Sequence, residues 1–233
     1  MKITLPLLLF FSFFNFSVHA QYESNITYGL KFGALHSSIS NLPESIKGRD
    51  NTFDNSVMEN KGTYGIEGGF FLNFKLHDTR VAIQPEILFR QSGEKITYRD
   101  ALGKKFDLGL HYSSLQIGAL YKLYPYEGLN FGAGVFYGIN LSPNNVTYTS
   151  NEANGMYDVA TRQFYIDGLE GTDDFALCFA LGYELHSSIH FDMRYYLGVK
   201  DMVKSNASSF QFIENQNKSS VFCFSLGYSF HQW

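Results

Sequence analysis

A chain of 233 residues that is 17% aromatic and only 17% charged has more rings and fewer charges than a soluble surface usually carries, and a net charge of −4 gives no basic footprint for nucleic acid. Its length suits one domain. After residue 20 no run of about 18 apolar residues marks a membrane helix, which leaves strand-spanning membrane proteins open, because alternating strands average to a weak signal.

The N-terminus reads as a secretory signal peptide over residues 1–20: Lys2, an apolar run over residues 3–16, then Val18-His19-Ala20 as a small-x-small cleavage site. No cysteine follows that site, which argues against a lipid anchor. Residues 21–233 are therefore expected to form the exported domain.

Period-two alternation then repeats along the chain and predicts eight β-strands. The first, residues 25–36, sets Ile26, Tyr28, Leu30 and Phe32 on one face and Thr27, Gly29, Lys31 and Gly33 on the other. A polar stretch, 37–60, precedes the second strand, 62–76, and a tight turn at His77-Asp78 leads to the third, 79–91. Pro85 interrupts that third strand, so a bulge or a missing ladder bond is expected there. A polar loop, 92–110, separates it from the fourth, 112–124, which a short turn at residues 125–128 joins to the fifth, 129–142. The longest loop, 143–173, is rich in Asn, Thr, Ser and Gly.

The hairpin over residues 174–200 shows the pattern most fully. Phe175, Leu177, Phe179, Leu181, Tyr183 and Leu185 share one face, continued after His186-Ser187-Ser188 by Ile189, Phe191, Met193, Tyr195, Leu197 and Val199. Its other face carries Ala176, Cys178, Ala180, Gly182 and Glu184, then His190, Asp192, Arg194, Tyr196 and Gly198. A fourth loop, 201–218, reaches the eighth strand, 220–230.

The large apolar faces cannot all point into a lumen that, at about eight strands, side chains only just fill. They point outward, which only lipid tolerates. Long loops alternating with short turns, and an even strand count, then predict an eight-stranded antiparallel up-and-down transmembrane β-barrel, with short periplasmic turns and long extracellular loops. All strand charges (Lys31, Glu67, Lys75, Arg80, Glu86, Arg90, Lys122, Glu184, Asp192, Arg194 and Lys200) take the inward parity. On the lipid face an Arg or Lys would cost about 2–4 kcal/mol at the midplane. Inside they must pair, and a three-residue turn sets Glu184 opposite His190. Glu67, Glu86, Arg90, Glu184, His190, Asp192 and Arg194 are thus the expected luminal charge network. Cys178 and Cys223 fall on next-but-one strands, about 10 Å apart and beyond bridging reach, so two buried thiols are expected.

The chain resembles the PorT-like outer-membrane β-barrel proteins of Gram-negative bacteria. The resemblance rests on Leu115-Gln116-Ile117 to Tyr121-Lys122-Leu123-Tyr124, on Leu129-Asn130-Phe131-Gly132-Ala133-Gly134-Val135-Phe136-Tyr137-Gly138, on Ala180-Leu181-Gly182-Tyr183-Glu184-Leu185, on Asp192-Met193-Arg194-Tyr195-Tyr196-Leu197-Gly198 and on Leu226-Gly227-Tyr228-Ser229-Phe230. It implies an outer-membrane barrel and a cell-envelope role, one member serving a secretion apparatus, and carries over no catalytic residue.

A non-enzymatic barrel acting through its loops or in an envelope complex is the expectation, with outer-membrane lipid as surroundings and an envelope or secretion protein as partner. No cofactor or metal is expected. A rim-located lipid-modifying enzyme is the sharpest rival: His111 and Ser113 share a face at the loop end of the fourth strand, but Glu127, a carboxylate to orient the His, is at the other end. Glu170, Asp173 and Asp174 read as a solvated loop.

Overall fold

Alternation alone forms strands, but which strands meet is set by where each can bury its small face. In the computed structural model, residues 25–42, 57–76, 79–99, 103–142, 146–151, 159, 162–163, 166–205 and 217–230 are described. The signal peptide expected at residues 1–20 and the turn at residues 77–78 lie outside them.

Eight long strands close into a ring: β1 (Asn25–Ile39), β2 (Val57–Lys75), β3 (Val81–Arg99), β4 (Lys105–Leu123), β5 (Leu129–Asn140), β8 (Asp174–Glu184), β9 (Ile189–Asp201) and β11 (Lys218–Phe230). Every neighbour in the ring is antiparallel, and β1 closes it on β11 from Tyr28↔Phe230 to Ile39↔Ser219. Short β6 (Val146–Ser150) adds to the far end of β4, while β7 (Leu169–Gly171) and β10 (Val203–Ser205) pair with each other. A closed cylinder leaves no unpaired edge in the wall, as a lipid-facing sheet requires.

The sidedness is the one that lipid demands. Phe179, Phe191 and Phe224 are 52%, 37% and 48% exposed, whereas Arg194 is 1% exposed. Lys31, Glu67, Glu86, Arg90, Lys122, Asp192 and Arg194 are all buried in the lumen. Three of the charges expected inside are not enclosed: Arg80 precedes β3 and is exposed, Lys75 is only half-buried at the turn end, and Lys200 is exposed at the loop end. Strand ends emerge from the cylinder, so parity alone does not bury a residue there.

The expected loop at residues 92–110 is largely strand. β3 and β4 keep one unbroken register from Val81↔Leu123 to Arg99↔Lys105, well past the apolar belt. Along this extension the outward positions turn polar (Lys95, Arg99, Lys105, Asp107), while Ile96, Tyr98, Phe106, Leu108 and Leu110 turn inward and are buried. The physical cause is a change of solvent: above the bilayer water faces the outside, so the apolar groups move inside.

Opposite Pro85 the β2–β3 ladder stops at Phe71↔Glu86 and resumes at Phe74↔Ile83 in unchanged register. Of the two outcomes expected, the ladder gap occurs there. The register shift on this strand pair falls between Gly62 and Ile66 instead. Proline has no N–H to give β2, while its neighbour β4 pairs through Pro85↔Ala119 without interruption. Cys178 and Cys223 are buried and unbridged.

Close strand approach depends on glycine at Gly134, between Leu120 and Cys178 on the adjoining strands. A Cβ there would strike the Ala119 carbonyl oxygen, with Leu120 Cα at 2.9 Å. Gly134→Ala is expected to cost about 1–3 kcal/mol through overpacking. A shift of the urea midpoint in lipid vesicles measures it, and an unchanged midpoint would show that the wall relaxes there freely.

Candidate functional site

The lumen is filled by three polar groups, two of them linked through Tyr196. In the middle, Arg194 from β9 grips Glu86 from β3 with both guanidinium arms, at 2.5 and 2.7 Å, and also reaches Asp192 at 3.3 Å. Lys31 from β1 closes the circle, 3.0 Å from Glu86 and 2.7 Å from Asp192. Two cations and two anions thus alternate in a quartet drawn from three strands; three of its contacts cross the lumen between strands that do not pair, while Arg194–Asp192 runs along β9.

Above it, Arg90 bonds Glu67 through Nε at 2.8 Å and Nη2 at 2.5 Å, and its guanidinium lies 3.8 Å over the Tyr196 ring. The Tyr196 hydroxyl donates to Glu67 and accepts from Arg194, both at 3.2 Å, tying the pair to the quartet. Each carboxylate is met by charge-assisted donors, the condition under which ion pairs survive burial.

Toward the turn end, Glu184 accepts from Lys75 at 3.0 Å, from Lys122 at 3.4 Å and from the Tyr124 hydroxyl at 2.6 Å. The β8–β9 turn, with Ser188 at φ 68°, sets Glu184 opposite His190, and the ring Nδ1 lies 3.6 Å from Glu184. His190 Nε2 meets Ser229 Oγ at 2.5 Å. A serine, a histidine and a carboxylate therefore stand in sequence, but Ser229 and His190 are buried, and the Ser229 backbone N–H is donated to the Ser188 carbonyl.

The seven sequence-predicted residues fall into these three groups: Glu86, Asp192 and Arg194 in the quartet, Glu67 and Arg90 above it, Glu184 and His190 below. Sequence reasoning left out of the network Lys31, Lys122 and Lys75, although their parity was visible, and missed the two tyrosines that link or finish it, Tyr124 and Tyr196. An inward aromatic flanked by Arg194 was the available signal for Tyr196.

At the loop end the polar interior gives way to an apolar cap: Ile39, Leu42, Met58, Ile96, Tyr98, Phe106, Leu108, Leu110 and Tyr112 pack with Leu169 of β7, Val203 of β10 and the preceding Met202. Set into it is the buried carboxyl of Glu94, which accepts from the Ile39 N–H at 3.0 Å and has no ion-pair partner among the described residues. Burial pushes this carboxyl up to about 7, against the pull of the Ile39 hydrogen bond.

His111 and Ser113 lie on the outer side of β4, where His111 Nε2 is 3.3 Å from Thr147 Oγ1 and the Ser113 amide donates to Ser142. Glu127 bonds His186 at the opposite end. Asp174 departs from the solvated loop expected for it: it is buried and accepts from Ser219 at 2.8 Å, because β8 begins at this residue and turns its side chain into the lumen. Among the described residues no group of three His, Cys, Asp or Glu is placed to hold a metal.

Comparison with known proteins follows the same lines. Residues 12–204 match the family described as Outer membrane protein beta-barrel domain. Among solved structures the chain is similar to OprG from Pseudomonas aeruginosa, at 16% identity over 91% of this chain and 98% of that one, with a TM-score of 0.45. It is also similar to Ail, the attachment invasion locus protein of Yersinia pestis, at 13% identity over 88% and 99% of the two chains and a TM-score of 0.40. Neisserial surface protein A shares 11% identity over 87% and 97%, with a TM-score of 0.38. No curated protein matches the sequence.

Proposed function

The chain belongs to the Outer membrane protein beta-barrel domain family, and from that premise we propose that it is a non-enzymatic barrel that acts through its extracellular face or within an envelope complex. It resides in the cell outer membrane. The observation that supports the reading is the double closure of the lumen, by buried ion pairs across its interior and by the apolar cap above them. A lumen filled in this way leaves no path for a solute. Among the described residues, the surface open to a partner is the extramembrane part of β2, β3, β4 and β6, whose outer side presents Glu59, Lys61, Lys95, Arg99, Lys105 and Asp107 to water.

A photo-crosslinking residue placed at Lys95 or Arg99 in living cells is expected to trap a protein or saccharide partner, and the same residue at Phe179 to trap lipid only. Identical products at both positions would overturn the reading. The segments in which the sequence resembles PorT-like proteins favour a second reading, membership of a secretion apparatus. It predicts a stable envelope complex in a pull-down and loss of secreted proteins on deletion. The enzymatic alternative has its own test. A fluorophosphonate probe is expected to leave Ser229 and Ser113 unlabelled, and lipid composition is expected to be unchanged when His111 or Ser113 is replaced by Ala.

A further inference from the structure

Between the Arg90 ion pair and the cap lies a cavity of about 20 Å³ in which three polar side-chain atoms have no hydrogen-bond partner among the described residues: Gln116 Oε1, Asn140 Nδ2 and Asp174 Oδ1. We infer that this cavity is a site for one ordered water molecule, which donates to Gln116 and Asp174 and accepts from Asn140. The volume fits, since about 10–15 Å³ of this measure holds one water and a water needs two to four polar partners.

The donor and acceptor count is fixed by the neighbours. Gln116 spends its amide nitrogen on Ser114 Oγ at 2.9 Å, which leaves the carbonyl oxygen inward. Asn140 receives the Ser142 amide on its oxygen at 2.9 Å, which leaves the nitrogen inward. Asp174 uses Oδ2 for Ser219. Two acceptors and one donor are the complement of a water's two hydrogens and a lone pair.

A dehydrated cation would satisfy the two acceptors only. It would leave the Asn140 N–H facing a positive charge, and it would sit beside the Arg90 guanidinium that lines the same space. The room is kept by glycine: a Cβ at Gly138 would push on the Gln116 amide carbon at 3.0 Å, and one at Gly171 on Asn140 Nδ2 at 2.6 Å. The water thereby joins β4, β5 and β8 at a level where their side chains do not reach one another.

The test is a high-resolution crystal structure of the full barrel, grown once in sodium and once soaked in rubidium. A single peak within hydrogen-bond distance of all three atoms, with no rubidium anomalous signal, is expected. In Gln116→Met, which keeps the volume and removes the acceptor, the peak is expected to vanish or lose most of its occupancy. A rubidium signal, a cavity without density, or a peak untouched by Gln116→Met would each overturn the assignment.

Discussion

Arg194→Met is expected to destabilise the barrel by about 3–5 kcal/mol, the typical penalty for removing one member of a buried ion pair. The change strips Glu86 of two donors and leaves Lys31 to balance both Glu86 and Asp192. It also takes from Tyr196 the hydrogen bond that links the quartet to Arg90 and Glu67. Pairing the change with Glu86→Leu removes the stranded anion, and Lys31 with Asp192 then forms a neutral pair. The double variant is expected to recover most of the loss, as buried pairs replaced by apolar side chains commonly do. Reversible urea unfolding from lipid vesicles gives all four corners of the cycle. Losses that simply add would mean that the quartet is a set of independent contacts.

The second large effect concerns pH. Glu94 sits in the cap, above the apolar belt, and its folded-state value near 7 exceeds the ordinary carboxyl value of 4.5. A raised carboxyl favours the folded state most when the group is protonated in both states. Its contribution is therefore complete below about pH 4.5 and lost as pH rises toward 7. Over that window the loss amounts to about 2–3 kcal/mol, reckoned at about 1.4 kcal/mol per pH unit. Glu94→Gln, which keeps the shape and the acceptor for Ile39, is expected to flatten this slope and to be the more stable protein at pH 8. Unfolding curves for the two proteins at pH 4.5 and pH 8 provide the check, and parallel slopes would refute it.

The wall was legible in the sequence because lipid imposes a single rule on every spanning strand. Phe175 to Leu185 and Ile189 to Val199 state that rule so regularly that strand number, sidedness and the Glu184–His190 register follow from it. The extension of β3 and β4 was not legible, because the same rule reverses in water. Ile96, Leu108 and Leu110 occupy the inward parity that Glu86 and Arg90 hold lower down, so a template of apolar-out strands stops at Phe89 and resumes only at Leu115. The quartet was readable as a set of inward charges but not as partners. Glu86 and Arg194 are 108 residues apart and stand on strands that do not pair, so neither spacing nor register relates them.

The alternation of Lys31, Glu86, Arg194 and Asp192 sums to zero net charge at mid-membrane. An electric field across the bilayer therefore finds nothing there to drag, since the work of such a field scales with the charge it can displace. The quartet thus adds no net gating charge to the barrel's centre.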